Sequence, residues 1–98
     1  MRVRIFSTFA FIDPDCENPV WEGEVDVPGV LTEEHLENVF RLFNRVDEED
    51  VKRLNEIGYE LPSLSVGDLV SLGNETSNCW QVQRMGFKRF LPGLGTLA

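Results

Sequence analysis

The stretch from Leu61 to Val70 constrains this chain more than any other. Leu61-Pro62-Ser63-Leu64-Ser65-Val66-Gly67-Asp68-Leu69-Val70 opens on a proline, which fixes its own φ and donates no backbone hydrogen bond. It closes on apolar residues just after a glycine–aspartate pair, the chemistry of a tight turn. The order predicts an opening turn and then a short strand over 69–72. A polar loop follows, Gly73-Asn74-Glu75-Thr76-Ser77-Asn78, and Cys79 to Met85 returns as a second strand. Gly86 permits a bulge or bend before Phe87–Phe90. The C-terminal third is thus an antiparallel unit.

The N-terminal third is also β-like. Val3, Ile5, Phe9 and Phe11 share one face at period two, interrupted by Ser7, and Arg2 and Arg4 point the other way. Asp13-Pro14-Asp15 and Asn18-Pro19 mark a long polar turn. Trp21, Gly23, Val25 and Val27 then alternate with Glu22, Glu24 and Asp26. Antiparallel pairing of the two strands sets arginines opposite carboxylates, at roughly 0.2–1 kcal/mol per pair. A β-hairpin is the expected outcome.

Pro28-Gly29 ends the second strand, and two helix starts follow. In Leu31-Thr32-Glu33-Glu34-His35-Leu36, Thr32 is the expected cap. Glu33 and Glu34 lie at the positive end of the dipole, and Leu31 and Leu36 have the spacing of a hydrophobic staple. Leu36, Val39, Phe40 and Phe43 form the apolar stripe, and Asn44 or the residues after it end the helix. In the second, Asp47 caps, Glu48, Glu49 and Asp50 load the first turn, and Val46 and Val51 repeat the staple spacing. Val51, Leu54 and Ile57 face inward, and Gly58 is the stop.

These elements predict an α+β class. A small antiparallel sheet, made of an N-terminal hairpin and a C-terminal hairpin, carries two short helices packed on one face. Residues 1–90 form a single domain, and 91–98, rich in glycine and proline, form a flexible C-terminal tail.

Composition excludes several functions. No apolar run approaches the roughly 20 residues that span a bilayer. The N-terminal apolar stretch breaks at Ser7-Thr8 without a small-residue cleavage site, so it reads as a strand, and a cytoplasmic protein with no membrane partner is expected. Cys16 and Cys79 are far apart and His35 is the single histidine, which argues against structural zinc or any other bound cofactor. A reducing compartment argues against a disulfide.

The net charge is −8, and its distribution is uneven. Thirteen acidic residues lie between Asp13 and Asp50, against Arg41 and Arg45. From Thr76 onward the charged residues are Arg84, Lys88 and Arg89. The acidic middle repels nucleic-acid phosphates and argues against direct DNA or RNA binding. The basic end suits a local contact with an acidic partner.

Three segments together carry a family resemblance. They are Val39-Phe40-Arg41-Leu42-Phe43-Asn44, the run from Leu61 to Val70 with its Ser63-Leu64-Ser65-Val66-Gly67-Asp68 phrase, and Met85-Gly86-Phe87-Lys88. The chain resembles the YodL-like domain over roughly its last 60% (residues 39–98). It departs from the family in the returning strand, where Cys79 precedes Trp80 and Met85 precedes the glycine. The resemblance implies an origin in a phage, prophage, plasmid or other mobile element of Gram-positive bacteria. It implies no established activity.

Catalysis finds little support in the residues. A serine nucleophile at Ser63 or Ser65 needs a base, and His35 is the one histidine available. The Ser65–Asp68 phrase is explained more simply as a turn. The acids of Asp13-Pro14-Asp15-Cys16-Glu17-Asn18 lack the central glycine and distal glutamate of an EF-hand loop. Trp80, Arg84, Lys88, Arg89 and Phe90 mix aromatic and basic character as a candidate interaction surface. Glu33, Glu34, Glu37, Asp47, Glu48, Glu49 and Asp50 form a candidate acidic face. Two functions follow. One is a non-enzymatic mobile-element accessory protein that docks on an unidentified host or phage protein. The alternative is an acidic nucleic-acid mimic that inhibits a host defence nuclease, of anti-restriction or anti-CRISPR type. A mimic needs its carboxylates in continuous rows, whereas a docking module needs scattered acids and an exposed apolar patch.

Overall fold

The structure is a computed structural model that describes residues 1–6, 19–73, 78–91 and 96–97. Phe9, Phe11, the Asp13–Asn18 turn and the 74–77 loop lie outside the described residues. Six strands and two helices follow one another as β1 (Arg2–Phe6), β2 (Trp21–Glu24), α1 (Thr32–Phe43), α2 (Glu48–Glu56), β3 (Leu69–Leu72), β4 (Cys79–Val82), β5 (Phe87–Leu91) and β6 (Thr96–Leu97). All pairings are antiparallel in a single sheet of order β2-β1-β3-β4-β5-β6. The expected α+β class therefore holds, with the two hairpins fused through the β1–β3 pair.

The charge alternation of the first two strands sets their register. Arg2 lies opposite Glu24 and Arg4 opposite Glu22. Arg2 pairs with the Glu22 carboxylate and, at 3.9 Å, with Glu24. Arg4 turns the other way along the sheet and donates to Ser71 Oγ at 3.1 Å. That bond explains why a serine is fully buried in β3.

Because side chains alternate, the two faces of the sheet carry different cores. Val3, Ile5, Val70, Leu72 and Val82 face the helices and join Leu36, Val39, Leu42, Phe43 and Leu54 in the main core. Phe6, Leu69, Cys79 and Phe90 form a second buried cluster on the opposite face. Helices on one face were expected; the second cluster was not.

Several local expectations are corrected. Thr32 is the first helical residue of α1, not its cap; Leu31 is the N-cap, and its N–H donates to Glu34 Oε1 at 3.2 Å. The staple pairs are not buried: Leu31, Val46 and Val51 are all exposed. Leu54 is the single buried residue of α2, since a helix this short buries one turn of its face. The cap of α2 is as expected, with Asp47 Oδ1 accepting from the Asp50 N–H at 3.0 Å and Asp50 returning the contact. Gly58, at φ +77°, ends α2 as expected. The Tyr59 N–H reaches Leu54 O at 2.9 Å and the Gly58 N–H reaches Asn55 O at 3.2 Å, a Schellman closure.

The C-terminal unit reverses once more than the sequence indicates. The residues expected to continue one strand to Met85 stop at Val82. Arg84 and Met85 form the turn, the Gln83 N–H closes on Gly86 O at 3.0 Å, and Gly86 takes φ +78°. β5 then runs back along β4, with Phe87 opposite Val82. The segment expected as a tail contributes Leu91 to β5, and Thr96–Leu97 pairs with β5 as β6.

Candidate functional site

The Ser65–Asp68 phrase is built as a turn. Gly67 takes φ +100°, the left-handed conformation that glycine adopts without strain. The Asp68 N–H donates to Ser65 O at 3.0 Å, and Asp68 Oδ2 accepts from the Ser65 N–H at 2.9 Å. The Gly67 N–H donates to Val82 O at 2.8 Å, and the Val82 N–H donates to Asp68 O at 2.9 Å. The turn thus extends the β3–β4 ladder. His35 is at the start of α1, with Nε2 2.9 Å from Gly29 O.

A cleft of about 250 Å³ runs past this turn, lined by Ser63, Ser65 and Asp68 together with Ile5, Val20, Tyr59, Leu61 and Pro62. His35 is not among its lining residues. Tyr59 donates to Pro62 O at 2.8 Å, which holds its ring against the cleft wall. Burial pushes the Tyr59 phenol above its ordinary pKa, the Arg45 guanidinium pulls it down, and Asp68 adds to the rise. Among the described residues, no three His, Cys, Asp or Glu side chains are grouped to hold a metal ion.

A second groove is open and aromatic. It lies between α1 and the β4–β5 turn, has a volume of about 290 Å³, and is lined by Glu37, Phe40, Arg41, Val82, Gln83, Arg84, Gly86 and Phe87. Phe40 and Phe87 meet edge to face with centroids 6.0 Å apart. Met85, at the tip of the turn, is 93% exposed. Helix periodicity places Glu37 and Arg41 on one ridge beside Phe40. The tight turn at Gly86 brings Arg84 to the opposite side.

The aromatic and basic residues expected to share one surface are divided by the sheet. Trp80 and Arg89 lie opposite each other on the helix face, with the guanidinium 5.9 Å from the ring centroid, and Trp80 Nε1 donates to Asn78 Oδ1 at 3.0 Å. Lys88 projects from the other face. Phe90 is a correction: it is 1% exposed, packed in the second core rather than offered to a partner. Arg84 is exposed and borders the groove, together with Phe87, Phe40 and Arg41, none of which had been grouped with it. No spacing in the sequence links residues 37–41 with 83–87; the sole signal was the run of exclusively basic charges after Thr76.

The acidic set is also dispersed. Glu34, Asp47 and Asp50 are engaged at helix starts. Asp47 and Asp50 share a shallow cleft with Arg41 and Arg53, and Arg53 donates to Asp26 O at 2.6 Å. Glu37 borders the aromatic groove, while Glu33, Glu48 and Glu49 are exposed. No helix of the described residues is long and apolar enough to cross a membrane.

No family model matches the chain, and neither a curated protein nor a solved structure matches it.

Proposed function

We propose that this protein is a non-enzymatic accessory protein of a phage, plasmid or related mobile element, and that it works by binding another protein through the groove between α1 and the β4–β5 turn. The observation that carries this reading is an open groove floored by Phe40 and Phe87, beside a turn whose tip residue, Met85, is exposed. An open groove with an aromatic floor leaves apolar surface for a partner to cover, and a polarizable, flexible methionine on the adjoining turn suits such a contact. The resemblance of residues 39–98 to YodL-like domains supports the mobile-element setting. On this reading the protein acts in the cytoplasm of a bacterial or phage-infected cell.

Nucleic-acid mimicry is the weaker reading. Duplex phosphates form uninterrupted rows, and the arginines beside Asp47 and Asp50 interrupt the acids here. The test is affinity capture from the native host during phage or plasmid activity, using the parent chain and a Met85→Asp/Arg84→Glu variant side by side. Both positions are exposed, so both chains should melt alike. The parent is expected to retain a protein that the variant loses. Equal retention by both chains refutes the groove as the docking site, and a retained nuclease that duplex DNA displaces establishes mimicry instead.

A further inference from the structure

We infer that the groove receives an acidic segment of the partner, with one large apolar side chain as anchor and carboxylates on either side of it. This rests on the docking reading above and specifies the chemistry of the occupant.

Size sets the first limit. Small-molecule and cofactor sites enclose roughly 300–1,000 Å³. At about 290 Å³ this groove lies at the lower end of that range, and being open to solvent it has room for one large side chain laid in from outside. Its floor is aromatic and aliphatic, from Phe40, Phe87 and Val82, which selects a ring or a branched aliphatic group.

Charge sets the second. Arg41 stands on one bank and Arg84 on the other. Among the described residues the ion pairs are those of the N-terminus and Arg2, so neither of these guanidinium groups has a carboxylate paired to it. Among the described residues Glu37 is the one acid on the rim. Between Asn78 and Leu91 every charged residue is basic, on a chain whose net charge is −8. Arginine prefers planar, bidentate partners, and carboxylates supply them. The rest of the molecule repels an acidic segment, so approach is favoured at this end alone, which makes the charge a device for orientation.

A second copy of the chain fits less well. It offers a knob, Met85, but a single rim carboxylate against two arginines, and it brings a further −8 of charge.

The probe is a pentapeptide, acetyl-Glu-Asp-Trp-Asp-Glu-amide, titrated into isotope-labelled protein and followed by amide NMR shifts. Its counterpart has all four acids replaced by lysine. The acidic peptide is expected to move the amides of Phe40, Arg41 and Arg84 to Phe87. It should bind at least about tenfold more tightly than the basic one, as two charge-assisted contacts require. Arg41→Gln/Arg84→Gln, which removes both charges without adding a like charge beside Glu37, Asp47 and Asp50, should lose that preference while still melting cooperatively. Three results overturn the inference: equal or tighter binding of the basic peptide, no shifts at the groove, or groove shifts that grow with protein concentration alone and so report a second copy. Each bears on the occupant's chemistry; the docking reading is refuted separately, by a captured partner that Met85→Asp/Arg84→Glu still retains.

Discussion

Phe40 and Phe43 stand three residues apart on α1 and live in different surroundings. Phe43 is fully buried, with Tyr59 at 4.5 Å and Trp21 at 5.5 Å between ring centroids, both edge to face. Trp21 and Tyr59 also meet each other at 5.5 Å, which closes a three-ring cage. Phe40 is half-buried and, among the described residues, has one ring neighbour, Phe87. The difference comes from what each end of the helix meets. Beyond Phe43 the chain turns at Asn44 and Arg45, and the Arg45 side chain reaches forward to donate to Leu61 O at 2.8 Å. Its guanidinium is 5.6 Å from the Tyr59 ring centroid, so the 59–61 segment is held down over the cage. Beside Phe40 the sheet ends in a hairpin whose tip projects away. One apolar stripe therefore supplies both the seal of the core and the floor of an open groove.

That contrast is tested most strongly by truncating each ring in turn. Phe43→Ala should lower unfolding stability by about 3–5 kcal/mol, the cost of a cavity in a rigid aromatic cage. Phe40→Ala should lower it by less, about 2 kcal/mol, since its ring is only partly buried at the edge of the core. Urea denaturation of the two variants measures both. Equal losses would mean that the groove is as much a part of the folding core as the cage is, and the distinction drawn here would fail.

The cage can be attacked from the sheet as well. Gly23 lies in β2 two residues from Trp21, and a Cβ placed on it would come within 2.7 Å of the indole ring. Gly23→Ala must push the ring out of its edge contacts with Phe43 and Tyr59, and a loss of about 1–3 kcal/mol is expected. Thermal melting reads the loss. Amide shifts around Phe87 should stay in place, because the groove lies at the other end of the sheet. A neutral substitution would show that Trp21 has room to move and that the cage is loosely built.

The cage was more legible in the sequence than the groove, for physical reasons. Trp21 announces its face because Glu22, Glu24 and Asp26 alternate with it, and Phe43 belongs to a helical stripe that opens on acids and closes near arginines. Such patterns are local, so the hairpin, both helices and the Gly58 stop could be read from neighbours a few residues apart. The failures came where burial depends on a distant element. Phe90 looked like surface beside Lys88 and Arg89, yet β5 has a second core on its far side. β3 is buried at all four positions, the mark of a strand covered on both faces, but Ser71 interrupts its apolar run and hid that signal in the sequence. Val51 had the spacing of a core residue but is exposed, and Leu54, three residues later, is the position that α2 buries. The groove needed α1 laid beside the Arg84–Gly86 turn, a tertiary fact that no local period encodes.

The smallest predicted effect concerns Tyr59, the one tyrosine of the chain, whose ionisation can be followed directly by its absorbance. Unfolded, the phenol releases its proton near the ordinary value of 10.0; folded, burial holds the proton to higher pH. Between those two points the folded chain binds more protons than the unfolded one. The contribution of Tyr59 is therefore complete below about pH 10 and declines as pH rises through that range. Tyr59→Phe removes the bond to Pro62 O and should cost about 1 kcal/mol at neutral pH. It should also flatten the alkaline loss of stability relative to the parent, because the group that titrates is gone. Parallel alkaline slopes for parent and variant would place the Tyr59 hydroxyl in water, and the cage would then be open on the side that Arg45 and Leu61 are proposed to close.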